Sequence, residues 1–174
     1  MDSNMTQDTP QAAALDLLVI TNLLAGSAIS SDVSSEVFQL GLYAEHAVMD
    51  RSASLPNYVG REDIAAIMRE PEHVEFVERG LLHLAAQPYV RLAGDTAVAC
   101  GYLQVVRTDP QAAESADDSA GGAYVSTGPS LWMVTANVWR FERIDGEWLM
   151  VSRTIRDALS AEGRDLVRGV LEAA

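Results

Sequence analysis

The chain has 174 residues, 48% of them hydrophobic, which is enough for one substantial core and short for two. Twelve basic residues against twenty-five acidic ones leave a formal charge of −13, which repels phosphate backbones and anionic membrane surfaces and argues against nucleic acid or a membrane as partner. A single cysteine, Cys100, lies inside an apolar run, so a disulfide framework and a Cys/His structural metal cluster are excluded and a reducing, cytoplasmic setting fits.

The first residues, MDSNMTQDTPQ, are acidic and polar where a signal peptide would be basic and then apolar. Residues 1–11 are expected to form a disordered leader and residues 12–174 a single domain. Leu15 to Ile20, interrupted by Asp16, is too short to span a bilayer. From Ala12 to Ser30 the spacing of Leu17, Ile20, Leu24 and Ala28 predicts an amphipathic helix with one buried face. Ser30, Ser31 and Asp32 carry the oxygen-bearing side chains that start helices, and Val33 to Tyr43 reads as a second helix with Val37, Leu40 and Tyr43 on one side. Ala47 to Met49 and Asn57 to Val59 are short extended candidates around the turn-rich stretch from Asp50 to Pro56. Gly60 to Arg69 predicts a third helix ending before Pro71, followed by a short helical piece around His73 to Glu78.

A sheet is expected to begin at Leu81. Leu81 to Leu92 and Thr96 to Arg107 flank a tight turn at Gly94-Asp95. Leu131 to Ile144 and Glu147 to Ile155 are joined at Asp145-Gly146, a separation that permits only an antiparallel hairpin. Residues 109–129 form an acidic Ala/Ser/Gly-rich insertion, expected to be a long mobile loop. A terminal amphipathic helix over residues 160–173 places Leu166, Val170 and Leu171 at helical spacing. Helices first and mostly antiparallel strands after them make the fold class α+β.

The three histidines, at 46, 73 and 83, have no HxH or HxxxH spacing, so no metal is expected. No Gly-x-Ser-x-Gly pentapeptide supports a serine nucleophile. Proton chemistry by a carboxylate and an imidazole needs no cofactor, and none is expected; an apolar pocket would raise the carboxyl pKa and set the histidine near neutrality. The residues alone leave Asp32 open between a pocket acid and a helix N-cap, and His83 open between a catalytic and a structural histidine. His46 and His73 are expected at the surface. Strict alternation sets Trp148 and Met150 on one strand face and Leu149, Val151 and Arg153 on the other, so Arg153 and Trp148 share a face only if a bulge intervenes.

The closing segment LWMVTANVWRFERIDGEWLMVSRTIR, an aromatic-basic strand, Asp-Gly and then Trp, resembles the final hairpin of the nuclear transport factor 2-like superfamily. That superfamily includes SnoaL-like polyketide cyclases, ketosteroid isomerases and scytalone dehydratase. ITNLLAGSAISSD, residues 20–32, is similar to the first-helix motif of SnoaL-like proteins, in which a tyrosine precedes a pocket aspartate by five positions. Asp32 matches the aspartate, and Ser27, shorter and less acidic, stands where the tyrosine would be. LYAEHAVMD, residues 42–50, looks like the segment after the second helix, with His46 where an acid is common, and GREDIAAIMR, residues 60–69, resembles the next helix. LLHLAAQPYVRLAGDTAVACGYLQVV, residues 81–106, resembles the first long hairpin with its pocket histidine at His83, and Arg153 matches a last-strand arginine of some members, including bacterial bile-acid dehydratases.

The resemblance implies a cone-shaped α+β barrel, with N-terminal helices packed on a strongly curved sheet that encloses a pocket. It implies Asp32, His83 and Arg153 as catalytic candidates, with Ser27, Tyr43, Tyr58, Met68, Phe76, Tyr102, Trp132 and Trp139 as candidates for the pocket wall, where the aromatics equally serve as plain core. The implied activity is that of a cofactor-independent lyase or isomerase acting on a hydrophobic, oxygenated small molecule of steroid-like or polyketide-like class through an Asp-His pair, in which His83 moves the proton and Asp32 fixes its tautomer and stabilises the imidazolium. A non-catalytic binding or assembly module, such as a partner like the small subunit of ring-hydroxylating dioxygenases, is the alternative on the same fold. The superfamily commonly dimerises through the outer face of the sheet, so a homodimer is expected. Light scattering is expected to give twice the 18.8 kDa chain mass; a monomer mass independent of concentration is the contrary result.

Overall fold

The computed structural model describes residues 9–52, 54–107 and 130–173. The expected insertion at 109–129 and leader residues 1–8 lie outside them. The first helix, α1, spans Pro10–Asp32: Thr9 Oγ1 accepts the Ala12 N–H at 3.2 Å and Pro10 supplies a preset φ at the first helical position. Pro10 and Gln11, expected in the leader, are therefore helical. Ile20, Leu24 and Ala28 are buried as their spacing predicts, while Leu17 is partly exposed and Leu15, Leu18 and Ile29 face outward. By length and composition alone α1 could cross a bilayer. Here its two acids, Asp16 and Asp32, are both tied to the sheet.

Helix α2 covers only Glu36–Leu42, because Val33 to Ser35 form a bend with Ser34 at φ 51°, and Tyr43 already belongs to strand β1, Tyr43–Asp50. Strand β2, Tyr58–Val59, pairs antiparallel with β1. Helix α3, Arg61–Ala66, tightens into a 3-10 turn over Ile67–Arg69, and Pro71 opens α4, Pro71–Glu78. The segment expected as one strand from Leu81 to Leu92 is two, β3 at Leu82–Ala85 and β4 at Tyr89–Ala93, both antiparallel to β5, Thr96–Arg107. The interruption falls at Ala86 to Pro88, where proline has no N–H to give to a ladder. Strand β6, Ser130–Ile144, and strand β7, Glu147–Asp157, make the closing hairpin, and α5, Ala161–Glu172, follows.

The strands form one curved open sheet in the order β2-β1-β7-β6-β5-β3, with β4 also on β5. All pairs are antiparallel except β1 with β7. At the β6–β7 turn Asp145 and Gly146 both have positive φ, the signature of a type I′ turn, and at the β4–β5 turn Gly94 alone does, as in type II′. The concave face packs Ala97, Ala99, Trp139, Phe141, Trp148 and Met150 against Ile20 and Leu24 of α1. On the convex face α5 lays Val167 and Val170 over Val98, Cys100, Ala136 and Val138.

Ser160 caps α5 by accepting the Gly163 N–H at 2.9 Å, and this first turn sits so close to the end of β7 that a Cβ at Gly163 would run into the Asp157 carbonyl. Glycine to alanine inside a helix ordinarily stabilises. Here the sign reverses: G163A is expected to lower the stability by about 1–3 kcal/mol through overpacking, read as a lower denaturant midpoint, and an unchanged or raised midpoint would show that α5 can shift freely.

Candidate functional site

Strand β3 lies at an edge of the sheet, and His83 on it stands opposite Val105 of β5. Its N–H points away from β5 and needs an acceptor. The last residue of α1 provides one. The Asp32 carboxylate accepts the His83 N–H through both oxygens, at 2.9 and 3.1 Å, and contacts His83 Nδ1 at 2.6 Å. Asp32 is thus not the N-cap of α2, a position held by Ser35. Both side chains are largely buried. An ionised carboxylate only accepts, so Nδ1 carries the proton and Nε2 keeps its lone pair. Burial pulls the His83 pKa below its ordinary value, the hydrogen bond and charge of Asp32 oppose this, and the charges of Arg153 and His73 add to it. The imidazole is therefore neutral at neutral pH. His73, expected at the surface, is half-buried instead, its Nε2 at 3.0 Å from the Ser31 carbonyl.

Arg153 reaches the same place because β7 is bulged. Phe141 pairs with Met150 and Arg140 with Ser152, so Val151 is an extra residue. The skip brings Arg153 onto the concave face with Met150 and Trp148, opposite Trp139. Its Nε and Nη2 donate to Asn137 Oδ1 at 3.1 and 3.0 Å, and its Cζ lies 5.8 Å from the Trp139 ring centroid.

These residues stand between two cavities. The smaller, about 180 Å³, lies under α1 and is lined by Leu24, Ser27, Ala28, Trp139 and the Ala86 to Pro88 interruption of the edge strand. The larger, about 740 Å³, is lined by His73, Phe76, Leu81, Trp132, Met133 and Ile155, among others. His83, Leu103 and Arg153 belong to both walls. The arrangement offers an oriented neutral imidazole beside a fixed cation, open to apolar space on two sides. It can remove a proton from carbon and meet the negative charge that develops on a neighbouring oxygen.

Four residues expected on the pocket wall line neither cavity. Tyr43 is fully buried in the core under α1 because it begins β1, and Met68 is buried with the short helices. Tyr58 donates its hydroxyl to Glu70 at 3.1 Å under the Arg51 guanidinium. Tyr102 follows Val98 and Cys100 at period two onto the convex face, where it is 43% exposed. His46 is exposed on β1. Asn137, fully buried, was not among the sequence candidates; its signal was an amide on the inward phase of an apolar strand, two residues before Trp139. Among the described residues no three His, Cys, Asp or Glu side chains converge as metal ligands.

Residues 12–154 match the model of the SnoaL-like domain. No curated protein is matched by this sequence. A nuclear transport factor 2-like protein with a cystatin-like fold from Novosphingobium aromaticivorans is 25% identical and superposes with a TM-score of 0.75 over 94% of this chain and 99% of its own. The hexachlorocyclohexane dehydrochlorinase LinA-type3 from Novosphingobium barchaimii is 13% identical, with a TM-score of 0.66 over 86% and 90%. A scytalone dehydratase-like protein from Novosphingobium aromaticivorans is 10% identical, with a TM-score of 0.63 over 86% and 88%. At these last two identities the likeness is one of fold. With the match spanning most of the domain and the fold shared with such structures, the chain belongs to the SnoaL-like family of the nuclear transport factor 2-like superfamily.

Proposed function

We propose that the protein is a cofactor-independent lyase or isomerase for a small, largely apolar, oxygenated molecule. The observation that carries this is the 2.6 Å contact of Asp32 with His83 Nδ1 at the wall shared by two cavities. His83 Nε2 takes a proton from a carbon next to an electron-withdrawing group. The electron pair of that C–H bond becomes a new double bond. In a dehydration a hydroxyl on the adjacent carbon leaves with the proton returned by His83, as water; in an isomerisation the proton returns to a different carbon. Asp32 holds the tautomer and stabilises the imidazolium, and Arg153 faces the oxygen on which charge gathers. A dehydrochlorinase and a scytalone dehydratase-like protein among the fold neighbours support eliminations as the reaction class.

Ser27 lines the smaller cavity where the family motif has a tyrosine, so polarisation of the substrate oxygen falls to Arg153 or to a water beside Ser27. A panel of hydroxyketones and cyclic enones, followed by deuterium incorporation from solvent, tests the reading. H83A and D32N are each expected to lower the rate by about a hundredfold or more, with circular dichroism unchanged. Full activity in both variants would sink the proposal. Tight binding of an apolar ligand that is indifferent to H83A, without turnover, would favour a binding module.

The pH dependence has a definite sign. The folded protein binds a proton at His83 more weakly than the unfolded chain, whose value is near 6.5. The stabilisation from neutral His83 is complete above that pH and is lost as the pH falls through the lower folded value. Activity is therefore expected to persist below pH 6.5 and to fall only with the His83 titration, followed by NMR of the imidazole protons; a His83 midpoint at or above 6.5 contradicts the assignment.

A further inference from the structure

Strand β7 sends two arginines to the larger cavity, and they are held in opposite ways. Arg156 is neutralised: Nη1 and Nη2 donate to the two Asp50 oxygens at 2.9 and 2.7 Å, and Nε pairs with Glu162. Arg153 forms no ion pair with a carboxylate among the described residues. Its anchor is the neutral amide oxygen of Asn137, which takes two of its N–H groups and leaves Nη1 without an acceptor among those residues. The amide is locked in that sense, because Asn137 Nδ2 donates to Thr135 Oγ1 at 2.9 Å and to the Thr135 carbonyl at 3.2 Å, and the side chain is fully buried. A neutral, locked acceptor orients a guanidinium without cancelling its charge. Beside it, Trp139 lines the smaller cavity and keeps a buried indole N–H with no acceptor among the described residues. A cation without an ion-pair partner in a mostly apolar wall calls for an anionic oxygen.

We propose that Asn137 is a positioning residue that presents Arg153 as an uncancelled cation, so that the wall shared by the two cavities binds the carboxylate of a small apolar acid. This rests on the proton-transfer reading for its chemical meaning and narrows the substrate of that site to molecules with an apolar body and a carboxylate within reach of His83. Asp32 from α1, His73 from α4 and Arg153 from β7 are the charged or titratable groups around that imidazole. Asp32 directs its hydrogen bonds to His83 and forms no direct ion pair with Arg153.

The test uses the full chain with benzoate and its neutral counterpart benzamide, titrated by NMR at the Trp139 indole N–H. Benzoate is expected to bind about tenfold or more tighter than benzamide. N137D, which places a carboxylate against the guanidinium, is expected to erase that preference. N137S removes the acceptor without adding a charge, remains informative should N137D fold poorly, and is also expected to lower the benzoate-to-benzamide ratio about tenfold. R153M is expected to abolish it. Equal affinity for the two ligands in the natural protein, no benzoate binding at about 10 mM, or a preference retained in either Asn137 variant would overturn the proposal, since a merely structural asparagine would not move the ratio. Turnover by H83A is measured separately: activity there defeats the proton-transfer reading and leaves the benzoate preference standing or falling independently.

Discussion

One carboxylate joins the two halves of this molecule. Asp32 ends a 23-residue helix, and it answers both the backbone N–H of an edge strand and the imidazole of the same residue. An edge N–H left unanswered in a half-buried site would cost about 1–3 kcal/mol, and the ring beside it would be free to choose either tautomer. The same bond that fixes α1 over the sheet therefore fixes which histidine nitrogen is available. Gln39 reinforces the helix end from α2, its Nε2 donating to the Ser27 carbonyl at 3.0 Å and to Ser30 Oγ at 2.8 Å. At the far end of α1, Asp16 meets Arg143 and the Trp148 indole at the closing hairpin. The Asp16 pKa is lowered by the hydrogen bonds of Arg143 and Trp148, against the burial that raises it. The helix is thus clamped by an acid near each end, and its apolar middle roofs the smaller cavity.

The second constraint is register. The inner face of the sheet is set by period two along β5 and β6, which points Leu103, Asn137 and Trp139 inward and Cys100, Tyr102 and Val138 outward. Burial holds the Cys100 thiol pKa up and leaves it a packing residue under α5. The break between β3 and β4 adds space to the smaller cavity, since Ala86 to Pro88 line it where strand residues would otherwise continue the wall.

Much of the fold could be read from the residues because its strongest elements are local. The Asp145-Gly146 and Gly94-Asp95 turns and the long alternating strands beside them follow from backbone preferences that neighbours cannot override. The parallel pairing of β1 with β7 could not be read, since residues about a hundred positions apart meet without any turn to announce them. Pro88 was visible, yet only the pairing of both flanking segments with β5 shows that it divides a strand. At the site, the pairing of Asp32 with His83 was implied by the family resemblance, while composition and spacing alone could not join a helix end to a strand edge. The wall residues were the weakest part. Tyr102 and Tyr43 are aromatic like Trp132 and Trp139, and only strand phase and boundary separate those that line a cavity from those that do not.

The extra residue in β7 lets the strand absorb a kind of change that substitutions do not sample. Val151 can be exchanged for another side chain without altering which way the following residues point. Loss of its codon would leave Ser152 opposite Arg140 and Arg153 opposite Trp139, so the ladder would become regular with Arg153 still on the concave face. For this architecture the bulge is therefore the place where β7 can gain or lose a residue without moving the cation in its cavity.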